Sequence, residues 1–125
     1  MKSAGDFDKD GYEDVIVGAY GKNMAYVIYG GPSFSTSIPV AGLNPATTGF
    51  YIKGNAAGDA LGYSVSGAGD VNKDGYADII IGAPYKSSQK GAVYLIYGGP
   101  RSAMSNIDLS TQTLTLSRSR ENSNT

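Results

Sequence analysis

The sequence predicts an all-β fold built from sheets that pack face to face. Short apolar runs recur between clusters of Gly, Pro, Asn and Asp, and no window shows the three- and four-residue apolar spacing of a helix. The runs at 15–17 and 93–96 are apolar on both faces of a strand. Strands of that kind need cover on both sides, and without helices other sheets must provide it.

The predicted strands follow one another at short intervals along the chain. They lie at about residues 14–18, 24–29, 49–53, 62–67, 78–82 and 92–97. Gly-Gly-Pro at 30–32 and again at 98–100 ends the strand before it, because proline has no amide to donate to a sheet. The polar segment 33–48 is expected to be a long surface connection. The tail after Leu116 has few apolar residues, which predicts disorder.

An internal repeat groups these strands into two units. The segment GDFDKDGYEDVIVGA at 5–19 matches GDVNKDGYADIIIGA at 69–83 in ten of fifteen positions, and AYVIYGGP at 25–32 returns as VYLIYGGP at 93–100. A repeat of this length indicates modules that bury their faces only against neighbouring modules. The order of elements within a unit predicts a four-stranded antiparallel meander, which suits either β-propeller blades or a sheet sandwich.

Composition excludes several classes of function. The chain has 125 residues, a net charge of −1, no cysteine and no histidine. It therefore gives no reason to expect nucleic-acid binding or direct membrane insertion, and it lacks the Ser-His and Cys-His pairs of nucleophilic enzymes. We expect no enzymatic activity. Eight of the eleven acidic residues lie in two short segments: Glu13 and the seven aspartates Asp6, Asp8, Asp10, Asp14, Asp70, Asp74 and Asp78.

These two acidic segments predict calcium sites. Oxygen-bearing side chains alternate at positions 1, 3 and 5, glycine at position 6 permits a sharp turn, position 7 offers its carbonyl, and position 9 returns a carboxylate. Calcium prefers such all-oxygen ligand sets, whereas magnesium keeps more waters and zinc favours His or Cys. The two predicted ligand sets are Asp6, Asp8, Asp10, Tyr12 (carbonyl) and Asp14, and Asp70, Asn72, Asp74, Tyr76 (carbonyl) and Asp78.

The alternative interpretation is that both segments are ordinary solvated Asp/Gly turns. Two copies in one register favour calcium. The first half of each segment matches an EF-hand loop, but position 12 is Val17 or Ile81 instead of glutamate, so a calcium loop within a β-hairpin is expected. The first loop carries one more charged ligand than the second, since Asp8 corresponds to Asn72. It is expected to bind calcium at least as tightly.

Several motifs in order resemble the FG-GAP repeats of integrin α-chain propellers and their bacterial relatives. These are GYSVSGAGD at 62–70, the acidic loop, and IIIGAP at 79–84, with Leu61-Gly62 standing at the "FG" position. The resemblance covers about residues 5–100. It implies an incomplete β-propeller of about two blades: a first, incomplete repeat at about 1–48, a second at about 49–100, and at 101–125 the start of a further connection and the disordered tail.

The resemblance also implies a function. It suggests a calcium-stabilised module for extracellular ligand binding or cell adhesion, with a protein or carbohydrate ligand. The alternative is that these are calcium-binding, non-catalytic accessory repeats of a secreted or cell-surface enzyme of the phospholipase or glycosidase type. Since two repeats cannot close a ring, further repeats of the same chain or self-association are expected. An extracellular or cell-surface location is expected, with a signal peptide encoded upstream.

Tyrosines fall into two predicted groups. Four recur at strand spacing and are expected in the core: Tyr26, Tyr29, Tyr94 and Tyr97. Tyr20, Tyr85 and Lys86 fall in predicted turns and are candidate ligand contacts.

Overall fold

The computed structural model describes residues 2–32, 42–56, 58–85, 91–109 and 119–123, and over these residues it confirms the all-β prediction. Two single 3-10 turns, Tyr20–Lys22 and Arg101–Ala103, are the helical segments there, and none of the described residues forms a helix long and apolar enough to cross a membrane. The strands are β1 Lys2–Gly5, β2 Asp14–Ala19, β3 Met24–Ile28, β4 Gly49–Lys53, β5 Ser64–Gly69, β6 Asp78–Ala83, β7 Ala92–Ile96, β8 Ile107–Asp108 and β9 Ser119–Ser123.

The strands form two sheets, each beginning with three consecutive antiparallel strands. The first has the order β1-β2-β3-β4-β8 and the second the order β5-β6-β7-β9. The first four strands of each sheet are an antiparallel meander, and the short β8 adds to β4 in parallel. Each sheet thus has the strand order of one propeller blade, as the repeat predicts.

The sheets and the predicted repeat units do not share their limits. The sequence unit beginning at about 49 includes β4, but β4 pairs with β3 and belongs to the first sheet. The second sheet begins only at Ser64. The reason is packing. β4 pairs with the free edge of β3, and in that position its side chains Phe50 and Ile52 are fully buried in the core.

Three strands were not expected from the sequence. β1 had a detectable signal, because Ala4-Gly5-Asp6 repeats Ala68-Gly69-Asp70. β8 is only two residues long. β9 corrects the expectation of a disordered tail over 119–123, since its main chain pairs with β7. An open strand edge offers amides and carbonyls to any backbone, so a polar segment can pair there.

The core lies between the two sheets, where β5 contacts β1 and β2. Among its fully buried members are Phe7, Phe50, Ile52, Ile79, Ile81 and Ile96. The four tyrosines predicted for the core, Tyr26, Tyr29, Tyr94 and Tyr97, are all buried. Tyr20 and Tyr85 are exposed, and Lys86 lies outside the described residues.

Candidate metal centre

Both acidic loops connect the first two strands of a sheet, so each sits in a β-hairpin as predicted. Their backbones match: Lys9 and Lys73 have φ of 62° and 60°, and Gly11 and Gly75 have φ of 93° and 91°. A left-handed φ near 90° favours glycine, which explains glycine at position 6 of each loop. The same bulge precedes both loops, because the strand register shifts just before Gly5 and before Gly69.

The first aspartate of each loop folds the turn around its own carboxylate. Asp6 Oδ1 and Oδ2 accept the amides of Asp10 and Gly11 at 3.0 and 2.9 Å. Asp70 accepts the corresponding amides of the second loop at 3.0 and 2.8 Å. Slight desolvation acts to raise the pKa of Asp70, but the hydrogen bonds from the amides of Gly75 and Asp74 outweigh it and hold this pKa below its usual value.

The last aspartate of each loop binds two distant pieces of backbone. Asp14, which is fully buried, accepts the amide of Phe7 at 2.9 Å and that of Gly30 at 2.7 Å. In the second hairpin, Asp78 accepts the amides of Val71 and Gly98 at 2.8 and 2.9 Å. The carboxylate therefore connects its loop to the Gly-Gly-Pro segment that follows the third strand.

This contact gives Gly-Gly-Pro a second role besides ending a strand. A Cβ added at Gly30 would clash with the carbonyl oxygen of Glu13, and one added at Gly98 would clash with that of Ala77. Only glycine lets the two backbones approach closely enough for the amide to reach the buried carboxylate. The repeated Gly-Gly-Pro was visible in the sequence, but its partner across the sheet was not.

Burial makes these carboxylates hard to ionise without a cation. Desolvation raises the pKa of Asp14 to about 7, with a smaller upward effect from the charge of Asp8, although the amides of Gly30 and Phe7 act in the other direction. Desolvation also raises the pKa of Asp78 above its usual value. A positive ion beside either carboxylate would reverse this shift.

Three carboxylates of the first loop converge. Oxygens of Asp6, Asp8 and Asp14 all lie within 4.8 Å of one another, and among the described residues no other three His, Cys, Asp or Glu side chains are grouped so closely. Asp8 is buried, and its Oδ1 has no hydrogen-bond partner within the described part of the chain. A buried acceptor without a donor is costly, and an oxygen-only donor set suits a hard cation such as calcium. The residues thus fit the ion expected from the sequence.

The remaining predicted ligands are placed differently. Asp10 lies outside the group of three: its Oδ1 accepts the amide of Tyr12 at 3.0 Å and its Oδ2 contacts Arg101 at 2.7 Å. In the second loop Asp74 likewise accepts the amide of Tyr76 at 3.0 Å. Asn72 stands where the first loop has Asp8, and it is exposed.

Arg101 is the residue of this site that sequence reasoning missed. Its Nε donates to Asp8 Oδ2 and its Nη2 to Asp10 Oδ2, and its guanidinium lies 4.4 Å from the centre of the Tyr29 ring. Desolvation raises the pKa of Asp8, and Arg101 only partly offsets that rise. The arginine lies 93 residues from Asp8 along the chain, so no local sequence pattern predicts the contact.

The two loops differ in how far the rest of the chain shields them from solvent. Phe7 of the first loop is fully buried and packs on Phe50, with ring centroids 5.8 Å apart, whereas the corresponding Val71 is 51% exposed. The amide of Gly99, from the second unit, donates to the Phe7 carbonyl at 3.1 Å. The second repeat therefore covers the first loop, and the loops touch where Lys9 lies 5.4 Å from the Tyr76 ring centre.

Comparison with known proteins gives one family and a set of relatives. The sequence-family model of the FG-GAP repeat matches residues 3–31 and 61–96 of the chain. The chain is 30% identical over 109 residues to integrin alpha-PS2 of Drosophila melanogaster, 36% over 95 residues to integrin alpha-IIb of Mus musculus, and 34% over 120 residues to integrin alpha pat-2 of Caenorhabditis briggsae. These matches cover 76%, 72% and 86% of the chain but only 7%, 8% and 9% of the relatives.

Proposed function

The chain belongs to the FG-GAP repeat family, and on that premise we propose that it is a calcium-stabilised, non-catalytic propeller module for ligand binding or adhesion outside the cell or at its surface. The observation that carries the calcium part is the cluster of Asp6, Asp8 and Asp14 with its unpartnered buried oxygen. Integrin α-chains are the named relatives of these repeats, which supports the adhesion part.

Two calcium sites are proposed, one in each hairpin loop. The first would use Asp6, Asp8, Asp10, Asp14 and the carbonyl of Tyr12, and the second Asp70, Asn72, Asp74, Asp78 and the carbonyl of Tyr76. When bound, calcium would supply the positive charge that lets these carboxylates remain ionised together. The last aspartate of each loop already connects its hairpin to the Gly-Gly-Pro segment. Its fixed position would couple metal binding to the stability of the whole sheet.

A ligand-binding surface is proposed at the opposite end of the sheets from the acidic loops. Tyr20 follows β2, Tyr85 follows β6, and Tyr63 lies between them just before β5. The three rings touch, with centroid distances of 5.0 Å and 6.4 Å, and all three side chains are about half exposed. Exposed aromatic rings carried on rigid strand ends are a common basis for protein or carbohydrate recognition.

The proposal includes a structural partner: a further repeat of the same chain or a second copy. Ile80 and Val93 are 37% and 41% exposed and point to the same outer face of the second sheet. Apolar residues on that face suit cover by another sheet, as the second sheet covers the first. Sedimentation at increasing protein concentration tests this: association supports it, and a stable monomer whose Ile80→Lys variant is equally soluble contradicts it.

Terbium luminescence tests the calcium sites directly. Tyr12 and Tyr76 lie inside the loops and the chain has no tryptophan, so bound terbium should be excited through tyrosine and displaced by calcium. We expect Asp6→Asn combined with Asp70→Asn to abolish the signal. Glu13→Gln is the matched control, because this neighbouring acid is outside both ligand sets and should leave the signal unchanged. Absence of sensitised emission in the unmodified chain would remove the calcium proposal.

A further inference from the structure

Arg101 places a positive charge on the acidic loop of the other repeat. It follows the Gly-Gly-Pro of the second unit, yet its guanidinium binds Asp8 and Asp10 of the first loop. Its position is further fixed by the carbonyls of Thr47 and Gly30, at 3.3 and 3.4 Å. The side chains at loop positions 3 and 5 are therefore both engaged by one internal cation.

The second loop differs at each of these points. Its position 3 is the neutral Asn72, and among the described residues no arginine or lysine forms an ion pair with Asp74. The residue after the first Gly-Gly-Pro is Ser33, so the two repeats differ in sequence where Arg101 stands. The arginine is thus specific to the first loop.

We propose that Arg101 is a built-in counter-cation that competes with calcium for the first loop and makes this the weaker of the two sites. The inference rests on the proposed function and concerns how that function is divided between the loops. It reverses the ranking expected from charge alone, which favoured the first loop because it has one more aspartate.

Competition follows from which atoms are occupied. Arg101 binds Oδ2 of Asp8 and Oδ2 of Asp10, two side chains of the proposed ligand set, while Oδ1 of Asp8 stays buried and unpartnered. A divalent ion reaching that oxygen would lie close to the guanidinium, and like charges at such distances repel strongly in a partly buried site. The Arg101 side chain is 30% exposed, so it has a route out to solvent when calcium enters.

Substitution of Arg101 in a chain with a single active loop tests the proposal. Asp70→Asn with Asp74→Asn removes the second site, and Arg101→Met then deletes the charge while keeping an unbranched stem against Tyr29. We expect the Arg101→Met chain to bind calcium at least about tenfold more tightly than the chain that keeps Arg101, since about 1.4 kcal/mol of repulsion corresponds to a factor of ten. Calorimetric titration and displacement of Tyr12-sensitised terbium measure the two affinities. Arg101→Lys should fall between the two.

Lys22→Met is the matched control. It deletes the same charge from an exposed 3-10 turn at the far end of β2 and should leave the affinity unchanged. Circular dichroism of each variant confirms folding. In the chain with both loops intact, the Arg101 Nε–H resonance should shift only after the second loop is filled.

The outcomes separate this inference from the proposed function. Equal or weaker calcium binding by Arg101→Met, in a folded chain, would mean that the arginine positions the carboxylates and would overturn the competition. Calcium binding at the second loop alone, whatever residue stands at position 101, overturns the inference and the first of the two proposed sites but leaves a calcium-stabilised module in place. Absence of binding at both loops overturns both.

Discussion

Substituting Gly30 by alanine tests whether the backbone approach at Gly-Gly-Pro holds the first hairpin in place. The added Cβ would meet the carbonyl oxygen of Glu13, which is main chain and cannot rotate away. The segment would have to shift, and the shift would lengthen the 2.7 Å hydrogen bond from the Gly30 amide to Asp14 Oδ1. Asp14 is fully buried, so water does not replace the lost donor.

The expected cost has two parts. When Asp14 is ionised, above about pH 7 or beside a bound cation, a hydrogen bond to its carboxylate contributes about 1.5–3 kcal/mol, and forcing extra volume into a packed region costs about 1–3 kcal/mol. We therefore expect Gly30→Ala to lower the free energy of unfolding by about 3–5 kcal/mol, which corresponds to a melting temperature lower by roughly 10 °C or more. If Asp14 binds calcium, the loss should be accompanied by weaker calcium binding at the first loop.

The neighbouring glycine supplies the control. A Cβ at Gly31 meets nothing within 4 Å, so Gly31→Ala should change stability by less than about 1 kcal/mol in either direction. Urea unfolding followed by circular dichroism, with and without calcium, measures both variants. If Gly30→Ala were no more destabilising than Gly31→Ala, the close approach would not be what secures the loop, and the reasoning would be wrong.

Three further predictions concern pH, a turn and the core. With a chelator present, urea unfolding should show that the free energy of unfolding falls as the pH rises from about 4 to about 7. The pKa of Asp14 is about 7 in the folded chain against an ordinary 3.8, and the pKa of Asp78 is also raised, so the folded state binds protons more strongly than the unfolded state. This contribution to stability is lost as the two carboxyl groups ionise. Saturating calcium should abolish this trend, and its persistence would argue against both carboxylates as ligands. Asn23→Ala should cost about 2 kcal/mol or more by thermal unfolding, because the Asn23 side chain donates to the carbonyl of Ala56 and accepts the amide of Leu61, both at 2.8 Å, and so holds the β4–β5 connection. A cost within error would contradict that role. Phe50→Ala should cost about 3–5 kcal/mol, since the ring is fully buried between two other aromatic rings, while the exposed Tyr63→Ala serves as its control.

Much of the fold could be read from local pattern. The six predicted strands all occur, with ends within two residues of expectation, because alternation and both-face apolar runs are local properties of the chain. The loops could be found for the same reason: Asp6 to Asp14 lie within nine consecutive residues, so their alternating pattern is local. Which carboxylates converge was not visible in that pattern, because Asp6, Asp8 and Asp14 group together and Asp10 lies outside the group. β9 was not predicted from the sequence, because its pairing depends on the open edge of β7 and not on its own composition.

The sequence by itself determined that this chain is all-β, repeats once and carries two oxygen-rich loops, since each of these depends on residues close together in the chain. Only the tertiary structure decided how the loops differ. Arg101 reaches Asp8 across 93 residues and Gly30 reaches Asp14 across 16, and both contacts exist only because sheets bring distant backbone together. Two loops with nearly the same sequence therefore acquire different electrostatic surroundings, because the second repeat covers the first loop and leaves Val71 of its own loop exposed.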